Sequence, residues 1–340
     1  MIRVLIAEDS AAARELLAGI LSSDPEIEVV GQATNGNEAV DLTQRLHPDL
    51  VTMDIHMPHM DGLLATKEIM ITAPTPIVIV TASHSARDVE VSMNALHAGA
   101  LDVLDKPRGP GSEGFDASVQ KLISTLKAMA RVKVVRHVRQ AKASDATVLP
   151  RSASQRKSVV AIAVSTGGPA ALQRVFERLP AQFTLPILVV QHIATGFVPG
   201  LVKWLSVVSD LTVKVAEEGE TLAPRSVYFA PDGRHIAVSS RGTIDLQTTP
   251  PRGGFRPSGT VLFESVANAY GSEVIAVIMT GMGEDGVEGL RAVRKKGGHI
   301  IAQDEKTSVV FGMPGAAIAA QVVDQVVPLD NIASHLVALV

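Results

Sequence analysis

Short, unbroken apolar runs alternate with helical patterns along most of the chain, and the alternation lapses once. The early runs are Val4–Ala7, Leu50–Met53, Ile77–Thr81 and Leu101–Leu104, with a weaker one at Glu28–Gly31. Each is too short for a helix and apolar throughout, as strands of a parallel sheet are when helices cover both faces. The segments between them have helical spacing; the first carries Ala13, Leu16, Leu17, Ile20 and Leu21 on one side. Five such βα units over residues 1–125 predict a five-stranded, doubly wound parallel sheet.

From Lys127 to Ser158 the periodicity fades into Ser, Ala, Arg, Lys and Gln, and residues 126–154 read as a linker. Its approach, Leu122 to Val138, is expected to stay helical. Alternation then resumes over residues 155–340. Ser158–Val164 is strand-like, Pro169 opens a helix carrying Leu172, Val175, Phe176 and Leu179, and Pro186–Val190, Val274–Thr280 and Gly298–Ala302 are further strands. Leu211–Ile244 suggests antiparallel β structure, with turns at Pro231-Asp232-Gly233 and Arg241-Gly242. The fold class is therefore α/β, with two doubly wound parallel-sheet domains and a β-rich insertion in the second.

Composition narrows this picture. The chain is 46 % hydrophobic but only 3 % aromatic, so Val, Ile, Leu and Ala build the cores. It has no Cys, which excludes disulfides, thiol catalysis and Cys-bound zinc. The opening MIRVLIAEDS lacks a signal-peptide pattern and no apolar run is long enough to span a bilayer, so a cytoplasmic location without membrane insertion is expected. Charge is uneven: 18 acidic against 8 basic residues in 1–126, 1 against 9 in 127–157, and 16 against 14 in 158–340. The basic stretch has no interleaved aromatics, and a solvated linker is a plainer reading than a nucleic-acid site.

Candidate chemistry collects at strand ends. Glu8 and Asp9 follow the first strand, Asp54 the third, Thr81 ends the fourth, and Lys106-Pro107 follows the fifth. These ends share one edge of a parallel sheet, where ligands bind. Crowded carboxylates there call for a cation such as Mg²⁺, and an ammonium and a hydroxyl beside Asp54 suit an aspartyl phosphate. With Met53-Asp54-Ile55-His56-Met57-Pro58 and Asp61-Gly62, this set resembles a two-component receiver domain. The resemblance implies Asp54 as phospho-acceptor, Glu8, Asp9, Asp54 and the His56 carbonyl as Mg²⁺ ligands, and Thr81 and Lys106 as switch residues. It also implies a histidine kinase as phosphodonor. Val103 stands where the family often has an aromatic residue, so an aromatic toggle is missing there.

In the second half, Ser165 follows one strand within Ser165-Thr166-Gly167-Gly168-Pro169, His192 follows another, and Asp285 lies in Thr280-Gly281-Met282-Gly283-Glu284-Asp285-Gly286. Singly each has an ordinary structural reading. Together they supply nucleophile, base and orienting acid at three strand ends, with backbone amides near Thr166 and in the Gly281–Gly283 loop to hold an oxyanion. His235, His299, Asp232 and Asp304 are secondary candidates. The order Ser, His, Asp and the lack of a G-x-S-x-G elbow argue against a lipase-type hydrolase. These motifs, with Gln191-His192, Gly196-Phe197, Ala230-Pro231-Asp232, His235 and Pro257-Ser258, resemble the chemotaxis protein-glutamate methylesterases over about residues 155–340.

That resemblance implies hydrolysis of glutamate methyl esters on chemoreceptors, with methanol released, and deamidation of selected glutamines. It implies Ser165, His192 and Asp285 as the triad and the Met282 amide as an oxyanion donor. No cofactor is expected in the esterase domain, no nucleic-acid partner, and a monomer. The two-domain layout further suggests that the unphosphorylated receiver covers the esterase cleft, so that cutting within 140–155 would raise activity. Three other readings stay open from sequence: a receiver with a DNA-binding output, a scaffold with a disused site, and a hydrolase of a different ester or amide.

Overall fold

The computed structural model describes residues 1–82, 86–112, 114–132 and 157–340, excepting the side chains of 86–89. The chain divides into two compact units. In the first, strands β1 (Ile2–Ala7), β2 (Ile27–Ala33), β3 (Leu50–Met53), β4 (Ile77–Thr81) and β5 (Asp102–Asp105) alternate with helices α1 (Ala11–Ser22), α2 (Gly36–Leu46), α3 (Gly62–Thr72), α4 (Ala86–His97) and α5 (Phe115–Met129). All neighbouring strands pair parallel, in the order β2-β1-β3-β4-β5. β3 and β4 are buried at every position, which is why they read as continuous apolar runs.

The helix expected over Leu122–Val138 begins earlier and ends sooner. α5 starts at Phe115 and stops at Met129, burying Leu122, Ile123, Leu126 and Met129. Residues 126–129, read from sequence as linker, thus belong to this helix. Residues 133–154 of the expected linker lie outside the described residues.

The second unit holds β6 (Val159–Val164), α6 (Gly168–Phe176), β7 (Ile187–Gln191), α7 (Val198–Val208), β8 (Thr212–Val215), β9 (Ser226–Phe229), β10 (His235–Val238), β11 (Ile244–Gln247), α8 (Gly259–Tyr270), β12 (Val274–Ile278), α9 (Val287–Lys295), β13 (His299–Gln303), α10 (Met313–Ala319), β14 (Gln325–Val327) and α11 (Leu329–Ala338). Seven of these strands form one sheet in the order β14-β13-β12-β6-β7-β9-β8, with parallel pairing throughout.

This corrects the reading of Leu211–Ile244 as antiparallel. β8 and β9 extend the main sheet in parallel, and among the strands of the described residues β10 and β11 alone pair antiparallel. The turn at Gly233 precedes that hairpin and the one at Gly242 joins its strands, and their local signal masked the parallel β8–β9 pair beside it. Among the described residues, no helix is long and apolar enough to cross a membrane.

Two features of this sheet place the chemistry. β7 lies on one side of β6 and β12 on the other, so the winding reverses at β6 and opens a crevice beyond its C-terminal end. Helix α8 then covers β6 and β12 with Leu262, Phe263, Val266 and Ala267, a fully buried stripe at helical spacing. Burying Phe263 alone is worth about 2 kcal/mol, and the same packing fixes where the N-terminus of α8 lies.

Candidate active site

Backbone pairing brings the three predicted residues of the second unit to one crevice. Val164 lies opposite Gln191 in the β6–β7 register, and His192 N donates to Val164 O at 3.0 Å, so Ser165 and His192 stand on adjacent strand ends. On the other flank Ser165 N donates to Thr280 O at 3.0 Å, tying Ser165 to the loop after β12. That loop runs close by: a Cβ on Gly281 would come within 2.6 Å of Ser165 Cβ and 2.5 Å of Met313 Sδ. Only glycine fits there. Gly281 is pinned from the far side, its N–H donating to Val310 O at 2.9 Å and its carbonyl accepting from Met313 N at 2.8 Å.

Asp285 is buried and saturated. Its Oδ1 accepts from Ser258 Oγ at 2.7 Å and Thr260 N at 3.2 Å, and its Oδ2 accepts from Gly259 N at 2.6 Å. Ser258 and Gly259 open α8, so this carboxylate caps the helix from another segment of the chain, where amides and dipole favour negative charge. The same Oδ2 lies 3.0 Å from His192 Nε2, although the ring N–H is not aligned well enough for a hydrogen bond. Burial works to raise the Asp285 pKa, but the neighbouring imidazole, the Ser258 hydroxyl and the Gly259 amide overcome it and hold it at about 2. It is an anion at neutral pH.

His192 Nδ1 is buried with no hydrogen-bond partner among the described residues. The imidazole thus presents Nε2 to the acid and Nδ1 away from it. Histidine and aspartate are brought together directly, whereas no hydrogen bond joins Ser165 Oγ to the ring. Catalytic hydrogen bonds are often long before substrate binds. Among the described residues no acceptor takes the N–H of Thr166 or Met282, which leaves both amides able to donate beside Ser165.

The structure also sorts the secondary candidates. Asp232 accepts the Gly196 N–H at 2.9 Å and so ties down the loop after His192, its carboxyl raised by burial against that bond. His235 is wholly buried in β10, with Nε2 3.3 Å from Pro250 O. His299 begins β13, at the opposite edge of the sheet, 3.8 Å from Asp324. Asp304 accepts the Thr307 N–H in a turn.

Three supporting residues went unread as such in the sequence. Ser258 holds Asp285, Phe255 stacks on the His192 ring, and Gln191 donates through Nε2 to both Ser165 O at 2.8 Å and His192 O at 2.9 Å. The polar Gln191, buried at the end of an apolar strand, is a signal that could have been used.

The first unit gathers its own cluster. Glu8 and Asp54 are buried, Asp9 is exposed, and an oxygen of each lies within 4.8 Å of the others. Lys106 Nζ is 2.7 Å from Glu8 Oε2 and 3.0 Å from Asp54 Oδ2. Burial raises both carboxyls, with Lys106 only partly opposing it. Burial would lower Lys106 itself, but the two carboxylates outweigh that and raise it. Asp54 Oδ1 accepts the Ile55 N–H at 2.8 Å. Thr81, buried at the end of β4, adjoins Lys106, whose N–H donates to Thr81 O at 2.9 Å. His56 lies two residues past Asp54 with its side chain exposed. Three hard oxygen donors, one open to solvent, fit a small divalent cation that keeps part of its water shell.

Comparison with known proteins agrees with this division. The family model for CheB methylesterase matches residues 160–336, and that for the response regulator receiver domain matches residues 4–112. A protein-glutamate methylesterase/protein-glutamine glutaminase of Myxococcus xanthus is 53 % identical over 98 % of this chain and 96 % of its own length. One from Anaeromyxobacter dehalogenans is 52 % identical over 99 % and 98 %. The crystal structure of the Thermotoga maritima CheB methylesterase catalytic domain superposes with a TM-score of 0.53 at 40 % identity, covering 55 % of this chain and all of that one. A receiver fold followed by this hydrolase fold, matched end to end by such relatives, makes the chain a member of the protein-glutamate methylesterase/protein-glutamine glutaminase family.

Proposed function

We propose that this protein hydrolyses glutamate methyl esters and deamidates glutamines on chemoreceptors, under control of phosphorylation at Asp54. The observation that carries the esterase reading is the Asp285–His192 pair beside Ser165, His192 at the adjacent strand end and Asp285 on the loop between β12 and α9. Glutamate esters and glutamines of a protein as substrate classes follow the names borne by the relatives, and chemoreceptors as their bearers follow the resemblance of the motifs to the chemotaxis methylesterases.

In this mechanism Asp285 keeps the proton on His192 Nε2, so Nδ1 is the base. Ser165 Oγ attacks the ester carbonyl carbon while its proton passes to Nδ1. The N–H groups of Thr166 and Met282 hold the resulting oxyanion. The imidazolium then returns that proton to the departing methoxide, releasing methanol, or to the amine of a glutamine, releasing ammonia. Water attacks the acyl-serine with Nδ1 again as base, freeing the glutamate carboxylate and restoring Ser165. The serine triad is familiar with Nδ1 facing the acid; here the nitrogens exchange places, which leaves the chemistry intact because either can carry the proton.

In the receiver, read from sequence as residues 1–125 and carried by α5 to Met129, with the rest of 126–154 as linker and 155–340 as the esterase domain, Asp54 accepts phosphate from a histidine kinase. Glu8, Asp9, Asp54 and the His56 carbonyl would hold Mg²⁺, which supplies charge neutralisation for the phosphoryl oxygens. Lys106 and Thr81 then respond to the phosphoryl group as switch residues. The protein acts in the cytoplasm as a monomer.

Methanol release from methylated receptor membranes, with and without a small phosphodonor, tests the whole reading. Release that depends on Ser165 and rises with phosphodonor is expected. Release that persists in Ser165→Ala removes the triad from the mechanism, and release indifferent to phosphodonor removes the control by Asp54.

A further inference from the structure

Asp285 fixes one edge of the His192 ring, but a single contact leaves the ring free to rock about it, and no hydrogen bond holds the other nitrogen. The ring plane is set by something else. Phe255 lies against the imidazole with ring centroids 4.2 Å apart and planes 9° from parallel.

Phe255 is delivered by a built device. Arg252 and Phe255 exchange backbone hydrogen bonds of 3.0 and 3.1 Å around Gly253 and Gly254, whose φ angles are 59° and 86°. Two successive positive φ angles make the tight hairpin turn that non-glycine residues adopt only under strain. Next to it, Arg256 Nη1 donates to Thr248 O and Thr249 O, both at 3.2 Å, clamping the turn to the strand side of the loop. Two residues on, Ser258 holds Asp285 at 2.7 Å. One short segment, 252–258, therefore grips both the base and the acid.

We propose that Phe255 is a positioning residue for the esterase reaction: its ring fixes the plane of His192 so that Nδ1 points to Ser165 while Nε2 meets Asp285. This inference rests on the proposed triad. Parallel stacking suits the role because it restrains tilt and still allows the small in-plane rotation that moves a proton between Ser165 and the leaving group. The aromatic face also favours the imidazolium that forms once His192 has taken the proton. Phe255 touches neither substrate nor reacting atoms in this scheme; it acts through His192.

The test is the rate at which a fluorophosphonate labels Ser165 in the full-length protein, resolved into a maximal rate and a half-saturating concentration. Phe255→Leu keeps apolar volume but loses the flat face, and Phe255→Tyr keeps the face. Phe255→Leu should lower the maximal rate roughly three- to tenfold, the range that aromatic stacking supports, with half-saturation unchanged, and Phe255→Tyr should stay near wild type. A maximal rate unchanged in Phe255→Leu overturns the inference, as does a loss equal in both variants or one confined to half-saturation. Ser165→Ala separates the two levels: if wild type labels and Ser165→Ala does not, the triad stands whatever Phe255 does. If wild type does not label, both fall.

Discussion

Asp285→Asn is the most informative single change, because it keeps shape and alters one atom's polarity. All the groups within reach of the Asp285 oxygens are donors: Ser258 Oγ, Gly259 N, Thr260 N and His192 Nε2. An amide has one acceptor oxygen, so its NH₂ must face donors whichever way it is turned. Turned toward Oδ1, it opposes Ser258 and Thr260; turned toward Oδ2, it opposes Gly259 and His192. Leaving a buried donor unmatched costs about 1–3 kcal/mol.

The charge adds a second contribution. A pKa drawn from 3.8 to about 2 is worth about 2 kcal/mol at roughly 1.4 kcal/mol per tenfold change in proton affinity. The folded pKa is the lower one, so this stabilisation is present above about pH 4 and is lost as pH falls through about 2. Asp285→Asn should therefore lower stability by about 3–5 kcal/mol at pH 7, and the gap to wild type should narrow towards pH 2. In catalysis the amide would donate to Nε2 and drive the proton onto Nδ1, the wrong tautomer for a base. Turnover should fall by about 10⁴-fold, the order seen when a triad's orienting acid becomes an amide. Urea unfolding at pH 7 and pH 3, with methanol release on the same samples, measures both effects. Turnover within tenfold of wild type would refute the claim that this carboxylate orients the base.

Ser165→Ala should abolish methanol release while leaving phosphate incorporation at Asp54 intact, measured on one sample with a labelled phosphodonor. Asp54→Asn should block phosphate incorporation and the stimulation it brings, with turnover in the absence of phosphodonor unchanged. Lys106→Ala leaves Glu8 and Asp54 buried without their cation and should cost about 3 kcal/mol at neutral pH; the loss should shrink on acidification as both carboxyls protonate, read by hydrogen exchange at β1 and β3 in the full chain. Gly281→Ala drives a methyl against Ser165 Cβ and Met313 Sδ, and should destabilise by about 1–3 kcal/mol while slowing fluorophosphonate labelling of Ser165; labelling at the wild-type rate would mean the loop can move aside.

Much of this protein is legible in one dimension. Strands buried on both faces need apolar residues at every position, so β1, β3, β4, β6, β7 and β12 declare themselves as runs. A parallel sheet puts all its C-terminal ends on one edge, so polar residues just past those runs, Glu8 with Asp54 in the first sheet and Ser165 with His192 in the second, could be named as neighbours from the pattern alone. The β8–β9 pair could not, because four-residue strands beside strong turn signals carry too little pattern to show their direction.

What only the tertiary structure decided is which atoms meet. That Nε2 rather than Nδ1 faces Asp285, that the carboxylate caps α8 through Ser258 and Gly259, and that Phe255 lies flat on the imidazole all depend on side chains meeting from segments 26 to 93 residues apart in number. Such contacts leave no periodic trace, since a chain repeats only what its own helix or strand geometry imposes. The sheet edge is written in hydrophobicity; the chemistry on it is set by how loops from separate strands pack against one another.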